Sequence, residues 1–210
     1  MKSKLRVNRF SPREILVRIL YPREYHLIQA EKMERAIEPT NNLEAHMIKP
    51  TDIHEHLMTL YMLTIEMGLK TILELGTRDG ESTIAFLEAA KKIGGKVFSI
   101  DTNRCSKAKE KVRSYGLERY WVFIQSDDLK AKWDKPIDHL FIDTSHLFEQ
   151  TLKELRKYEP DVRKGGLITL HDTVTYPEVI PALMTYARRR SDLRIYKYFN
   201  NSGLVVIFKN

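Results

Sequence analysis

The stretch that decides the fold is Thr-Ile-Leu-Glu-Leu-Gly-Thr-Arg-Asp-Gly-Glu-Ser, residues 71–82. Its first five residues form a short, apolar and β-branched run, which predicts a strand covered on both faces. Gly76 and Gly80 then allow a tight turn that a ligand can approach closely, and Ser82 is placed to cap the next helix. Because the free N–H groups of a helix start favour an anion, the stretch predicts a nucleotide-type site at the carboxyl edge of a sheet. An ordinary strand-to-helix turn is the alternative interpretation, since Arg78 stands where the dinucleotide fingerprint has its middle glycine.

The next predicted strand supports the ligand-binding interpretation. Residues 96–100 are largely apolar, and Asp101 follows them at the strand tip, where an acid can accept both hydroxyls of a ribose. The wider pattern alternates strands with helices, which predicts an α/β fold with a parallel sheet covered on both faces. We expect strands near residues 71–75, 96–100, 120–125, 137–142 and 166–171, helices near 82–92, 106–115, 148–158 and 178–190, and a final hairpin over 194–208.

The composition is typical of a globular protein of one domain. The chain has 210 residues and a formal net charge of +7, and no apolar run approaches the roughly 20 residues needed to span a membrane. The N-terminus lacks an apolar signal-peptide core, and the single cysteine, Cys105, excludes an internal disulfide. We therefore expect a cytoplasmic protein with no membrane partner. The positive charge would suit a nucleic acid, but a solvated basic surface explains it more simply.

Five motifs follow one another along the chain: ILELGTRDGEST, VFSID, IQSDD, HLFIDTSH and GGLITLHDT. Together they resemble the class I S-adenosylmethionine (SAM) methyltransferases over about residues 50–210. The last two motifs narrow the resemblance to the small-molecule O-methyltransferase branch, which includes the catechol-type enzymes, and they are also similar to relatives named cephalosporin hydroxylases. The resemblance implies a Rossmann-like methyltransferase fold: a doubly wound, mostly parallel seven-stranded sheet with an antiparallel last strand, and SAM as the cofactor.

The segment before this domain has a different character. Residues 1–48 are basic and predict a helical N-terminal extension, with helices over 12–19 and 25–37, whereas residues 49–210 form the predicted SAM-binding domain. The extension would serve as a lid over the acceptor or as a dimer contact, so a homodimer is a candidate assembly. Thr51 or Asp52 can cap a helix that runs to Met67.

The cofactor site implied by the resemblance follows the carboxyl ends of the first three strands. A carboxylate buried at Glu74 is costly without a partner, and the ammonium group of SAM would offset that cost. Ser82 would bond the SAM carboxylate and Asp101 the ribose, while the adenine would lie near the end of the third strand. Sequence does not separate the two acids there. The expected cofactor-binding residues are Glu74, Gly76, Thr77, Gly80, Ser82, Asp101, Ser126, Asp127 and Asp128.

A second group of polar residues follows the fourth and fifth strands, which open onto the same sheet edge. In catechol-type enzymes the positions that match Asp143 and Asp172 bind a divalent metal, so the resemblance implies Mg²⁺ or another divalent ion, with His171 as a further candidate ligand. Thr173 replaces the family's usual asparagine ligand. His146 stands where that family has its lysine base, and a neutral imidazole is a suitable base near pH 7. The alternative interpretation of the two aspartates is a capping or loop role. The alternatives for His146 are metal ligation and a structural role.

These assignments predict a SAM-dependent enzyme that methylates a hydroxyl of a small molecule, with Asp143 and His146 as catalytic residues. An RNA or protein methyltransferase is one alternative, favoured by the positive charge. A non-catalytic SAM-binding protein is another, favoured by Arg78 in the glycine turn and by Thr173 at the ligand position.

Overall fold

The computed structural model of the protein describes residues 42–210, which contain one seven-stranded sheet. In chain order the strands are β1 Thr71–Leu75, β2 Lys96–Asp101, β3 Trp121–Gln125, β4 Ile137–Ile142, β5 Val162–His171, β6 Leu193–Tyr198 and β7 Leu204–Lys209. Across the sheet their order is β3-β2-β1-β4-β5-β7-β6. Strands β1 to β5 pair in parallel, whereas β7 runs antiparallel to both β5 and β6. The predicted fold class, a mostly parallel sheet with an antiparallel last strand, is confirmed.

In residues 42–210, two helices precede β1, and four others lie in connections between strands. They are α1 Asn42–Met47, α2 Leu57–Glu66, α3 Glu81–Ile93, α4 Ser106–Ser114, α5 Phe148–Tyr158 and α6 Val179–Ala187. Short 3₁₀ turns over His54–His56, Glu118–Tyr120 and Glu159–Asp161 complete the regular structure. Within the described range, none of the helices has the length and apolar composition of a membrane span.

Strand β1 is covered on both faces, as its apolar sequence predicts. Successive side chains of a strand point to opposite faces, so Ile72 and Leu73 enter different parts of the core. Ile72 packs in a cluster that contains Phe86 of α3, whereas Leu73 packs in a second cluster that contains Leu155 of α5. All four side chains are fully buried. The carboxyl end of β1 is therefore fixed between two helical layers, with the glycine turn at its rim.

The segment before β1 differs from the prediction. Neither Thr51 nor Asp52 caps a helix with its side chain; a 3₁₀ turn over His54–His56 leads into α2 instead. Asp52 forms an ion pair with Arg78, with 2.6 Å between carboxylate and guanidinium. The entry segment is thereby joined to the glycine turn.

Helix α1 is not foreseen in the sequence pattern, although its Leu43 and Met47 are buried in the core. It overlaps the end of the extension expected over residues 1–48. The predicted helices at 12–19 and 25–37 lie outside the described residues, so the extension and its role as lid or dimer contact stay predictions.

Candidate functional site

The glycine turn after β1 lies directly against the end of β4. Gly76 has φ +88°, and a Cβ at this position would lie 1.9 Å from the carbonyl oxygen of Asp143. Backbone bonds hold the approach, because Gly76 N donates to Ile100 O at 2.9 Å and Asp143 N donates to Leu75 O at 2.9 Å. Only glycine fits this place, as the quoted stretch predicts. The close approach brings the turn beside Asp143, the acid that follows β4.

Asp101 lies at the tip of β2, where its carboxylate holds the glycine turn from the other side. Its Oδ2 accepts the backbone N–H groups of Thr77 at 2.9 Å and of Arg78 at 3.1 Å, and its Oδ1 accepts that of Asn103 at 2.7 Å. Partial burial raises the pKa of Asp101, but these three N–H groups outweigh it and lower the pKa below the ordinary value. The carboxylate is thus charged and fixed in place before any ligand arrives.

Glu74, for which a partner was expected in the ammonium group of SAM, has three hydroxyl partners within the protein. Its oxygens accept the hydroxyl groups of Ser82 at 2.7 Å, Thr83 at 2.8 Å and Ser99 at 2.5 Å, and the residue is fully buried. Burial raises the pKa of Glu74 to about 7, although the three hydroxyl groups lower it. The expected helix cap at Ser82 is also wrong, because Gly80 is the N-cap residue and the Ser82 hydroxyl donates inward to Glu74.

Two neighbouring cavities open along this sheet edge. The first, of about 450 Å³, has a lining that includes Asp52, Gly76, Thr77, Arg78, Gly80, Ser82, Asp143, His146, Asp172 and Tyr176. The second, of about 350 Å³, has a lining that includes Gly76, Arg78, Asp101, Ser126, Asp128, Asp143, Thr144 and Gln150. Most of the expected site residues therefore face one continuous groove. Glu74, Asp127 and His171 are not among the lining residues of either cavity.

The end of β3 distinguishes the two acids that sequence left open. Asp127 points away from the groove, since its side chain accepts the N–H of Leu129 at 2.9 Å and forms an ion pair with Lys130 at 3.2 Å. Asp128 is nearly buried and lines the second cavity beside Ser126. Of the two, Asp128 is the one placed to meet a ligand.

Asp143, His146 and Asp172 converge at the edge of the first cavity. Their ligand atoms lie within 4.8 Å of one another. His146 Nε2 is 3.0 Å from Asp143 Oδ1 and 3.2 Å from Asp172 Oδ2, and its ring stacks on Tyr176 at 4.3 Å between centroids. Both His146 (φ +60°) and Asp172 (φ +58°) adopt the left-handed backbone conformation, which is costly for residues other than glycine. The expected metal ligands were Asp143, His171 and Asp172, but in the structure His146 lies nearer the two carboxylates than His171 does.

His171 lies behind this cluster and is almost fully buried. Its Nε2 is 3.1 Å from the carbonyl oxygen of Asp52, which assigns the N–H to that nitrogen. The other nitrogen, Nδ1, is 3.4 Å from Asp143 Oδ1 and 3.8 Å from Asp172 Oδ2, without an aligned hydrogen bond among the described residues. Burial lowers the pKa of His171, but the two carboxylates outweigh it and raise the pKa.

The pKa values of Asp143 and Asp172 are shifted in opposite directions. Burial raises the pKa of Asp143, yet His146 and His171 hold it well below its usual range. Burial raises the pKa of Asp172 above its ordinary value, and the nearby Asp143 charge adds to the shift. Asp143 is therefore the acid that keeps its charge most firmly at this site.

Sequence reasoning missed several lining residues. Tyr176 comes four residues after Asp172 in a loop, and nothing in that spacing predicts the stack on His146. The ion pair of Arg78 with Asp52 joins segments that are distant in the sequence. Gln150 lies on the amphipathic helix α5, where nothing in the sequence distinguishes it from other surface residues. Thr173, which stands where the family has an asparagine ligand, is buried and absent from both cavity linings.

The chain matches the family model described as a methyltransferase domain over residues 73–173. That range begins inside β1 and ends just beyond the Asp172 cluster, so it contains the glycine turn, Asp101 and the acids after β4. A comparison with curated proteins finds no significant match.

Solved structures resemble the whole fold. An S-adenosylhomocysteine (SAH)-bound methyltransferase from Podospora anserina has a TM-score of 0.67 at 12% identity, covering 98% of this chain and 100% of its own. An O-methyltransferase from Bacillus cereus in complex with SAH scores 0.63 at 15% identity, over 95% and 98% of the two chains. The O-methyltransferase TomG from Streptomyces achromogenes, in complex with SAM, scores 0.64 at 15% identity, over 87% and 96%. At such identities the similarity concerns the fold.

Proposed function

We propose that the chain, which has this domain and this sheet, acts as a class I SAM-dependent methyltransferase and transfers the methyl group to a hydroxyl oxygen of a small molecule. The observation that carries the proposal is the cluster of Asp143, His146 and Asp172 on the wall of the first cavity. An oxygen acceptor must lose a proton around the time of transfer, and this cluster provides both a base and the charges that would stabilise it.

The cofactor is proposed to lie along the groove in the direction set by the glycine turn. Asp101, fixed by three backbone N–H groups, would accept the ribose hydroxyls, and Asp128 would face the adenine. The methionine end would reach the first cavity. There the Thr77 hydroxyl is buried without a partner among the described residues, so a ligand carboxylate or amine would satisfy it. Glu74 would act indirectly, by fixing the Ser82 hydroxyl at 2.7 Å.

His146 is proposed as the base. Its Nε2–H faces two carboxylates, which would stabilise the imidazolium that forms when the other ring nitrogen, Nδ1, takes the acceptor proton. The stacked Tyr176 fixes the ring plane. The sulfonium carbon of SAM needs no activation, so the protein's task is to place the acceptor oxygen in line about 3 Å away.

The same residues would suit a divalent metal. His171 supports this, because its Nε2 hydrogen bond leaves the Nδ1 lone pair facing two carboxylates, an arrangement that a cation would relieve. Asp143, Asp172 and His171 would hold the ion, and His146 competes for the same position because its Nε2 is closer to both oxygens. When bound, Mg²⁺ or a similar ion would lower the pKa of the acceptor hydroxyl and orient it.

The charge of the first cavity opposes the RNA alternative. Five acids line it, namely Asp52, Asp79, Glu81, Asp143 and Asp172. A phosphate backbone would be repelled there, although the overall charge of the chain is +7. A neutral or cationic hydroxylated molecule fits this lining better.

The experiment combines calorimetry with a transfer assay. Purified protein, treated with a chelator, is titrated with SAH, Mg²⁺ and Mn²⁺, and SAH release from SAM is followed with a panel of hydroxylated acceptors. We expect SAH binding, a metal signal that disappears in Asp143→Asn, and transfer to an oxygen that is lost in His146→Ala. Asp134→Asn, which removes an exposed acid outside both cavities, is the control and should behave as wild type.

The histidine variants separate the two metal arrangements. Loss of the metal signal in His171→Ala, with the signal retained in His146→Ala, would assign His171 as ligand and His146 as base; the reverse would make His146 the ligand. Salt-sensitive RNA binding with no transfer to small hydroxylated acceptors would contradict the proposal, and SAH binding without any transfer would point to a non-catalytic protein.

A further inference from the structure

A second pair of carboxyl groups lies beside the second cavity, separate from the Asp143 cluster. Asp128 follows β3, and Glu154 lies on α5. The amide nitrogen of Gln150 donates to both: to Asp128 at 3.0 and 3.3 Å and to Glu154 Oε1 at 2.9 Å. Asp128 and Gln150 line the cavity, whereas Glu154 is fully buried behind them.

The two oxygens of Glu154 have different surroundings. Oε1 accepts the Thr144 hydroxyl at 2.6 Å as well as the Gln150 amide. Oε2 is buried without a hydrogen-bond partner among the described residues. A carboxylate oxygen left bare in the interior, next to a second carboxyl group, is costly, and a proton on Oε2 removes both the charge and the repulsion.

The titration of Glu154 agrees with this geometry. Burial, followed by the hydrogen bond and the charge of Asp128, raises the pKa of Glu154 to about 8, although the hydrogen bonds from Thr144 and Gln150 lower it. The other ionisable groups that face the pair are Asp127, Lys157 and Tyr158; Lys157 Nζ lies 2.5 Å from the backbone carbonyl oxygen of Asp128, to which the Tyr158 hydroxyl also donates. Lys157 and Tyr158 hold the backbone at Asp128 and leave its side chain to Gln150 and Glu154.

We propose that Glu154 is a positioning residue for adenine recognition: a proton on its Oε2 leaves the pair with one negative charge, and the Asp128 carboxylate accepts the 6-amino group of the cofactor. The inference rests on the cofactor placement proposed above. It adds a specificity, because a charged acceptor favours a purine with an amino group at position 6 and repels one with a carbonyl there. The amide of Gln150 prevents Asp128 from turning away.

The proposal has a pH dependence with a definite sign. A bound adenine excludes water from the pair and so disfavours the second charge, which gives Glu154 a stronger hold on its proton in the complex than in the free protein. Cofactor affinity is then constant below about pH 8 and falls above it. SAH is the suitable probe, because it lacks the sulfonium charge of SAM.

The test is SAH calorimetry at pH 6.5 to 9.5 on wild type, Glu154→Gln and Glu154→Ala. Glutamine carries an N–H in place of the proton and cannot ionise. We expect Glu154→Gln to bind as wild type at pH 7 and to keep that affinity at high pH, whereas wild type weakens on the order of tenfold by pH 9.5. Glu154→Ala should bind about tenfold more weakly at every pH. S-inosylhomocysteine should bind wild type at least about tenfold more weakly than SAH.

Each failure has a separate meaning. Wild type that binds no SAH at any pH would overturn the cofactor assignment itself. Wild type that binds SAH with the same pH profile as Glu154→Gln, or a Glu154→Gln variant weakened at pH 7, would overturn the role of the proton alone. Equal binding of the two purines would remove Asp128 from adenine recognition. If Glu154→Gln does not fold, the infrared band of a protonated carboxylic acid in wild type at pH 7 supports the proposal, and its absence refutes it.

Discussion

Replacement of Gly76 by alanine tests whether the close approach of β1 to β4 builds the site. The new Cβ would lie 1.9 Å from the backbone oxygen of Asp143, and the position has φ +88°. The left-handed backbone alone costs roughly 1–2 kcal/mol for alanine, and relieving the overlap by moving strand ends adds roughly 1–3 kcal/mol. Gly94→Ala is the matched control, because Gly94 has φ +69° and nothing within 4 Å of its Cβ position.

Urea unfolding measures the two costs, provided that both variants keep the wild-type slope with denaturant. We expect Gly94→Ala to lose about 1–2 kcal/mol of unfolding free energy and Gly76→Ala to lose about 1–3 kcal/mol more, because only the second variant carries the overlap. SAH affinity should fall in Gly76→Ala and stay unchanged in Gly94→Ala. Equal losses in the two variants, or wild-type SAH affinity in Gly76→Ala, would refute the reasoning that Gly76 is needed for contact with the Asp143 backbone.

Three further substitutions separate ligand contacts from structural ones. Thr77→Val removes a buried hydroxyl that has no partner among the described residues, so unfolding free energy should hold or rise slightly while SAH affinity falls about tenfold; a loss of stability instead would assign the hydroxyl a structural role. The pKa of Glu74 is raised from 4.5 to about 7, so protonated Glu74 adds stability that is complete below pH 4.5 and is lost as the pH rises to 7. In wild type the unfolding free energy should therefore fall on the order of 3 kcal/mol across this range, and Glu74→Gln should flatten the fall. The same dependence of unfolding free energy on pH in the variant and in wild type would contradict this assignment. Arg78→Ala breaks an exposed ion pair with Asp52 and should change unfolding free energy by less than about 1 kcal/mol; a larger loss would show that the pair anchors the entry segment.

The fold could be predicted because its signals are local and repeated. The apolar run of β1 required cover on both faces, and the alternation of strands and helices then required a parallel sheet. Helix α1 could not be predicted in this way, because its six residues owe their burial to Leu43 and Met47 packing on a core assembled from distant segments. The same limit applies to Asp52, whose partner lies 26 residues away.

The site could be predicted only as far as sheet topology determines it. Parallel strands bring the residues after β1, β2 and β4 to one edge, so the meeting of Gly76, Asp101 and Asp143 follows from their positions in the sequence. The partners of Glu74 do not follow, because Ser99 reaches it through the register of β1 on β2. Nor does the choice of Asp128 over Asp127, which depends on the local turn in which Asp127 accepts the N–H of Leu129.

The positions of the His146 and Asp172 side chains depend on a backbone conformation that no sequence pattern reveals. His146 and Asp172 are both left-handed, at φ +60° and +58°, and neither is glycine. Such strain persists only where the surrounding structure imposes it. At Asp172 the backbone is held by β5, which pairs with β4 and with β7, the latter up to His171. The two strained residues are also two whose side chains approach to 3.2 Å at the edge of the first cavity. A relaxed backbone at either position would redirect its side chain, so the strain and the convergence of the cluster have the same cause.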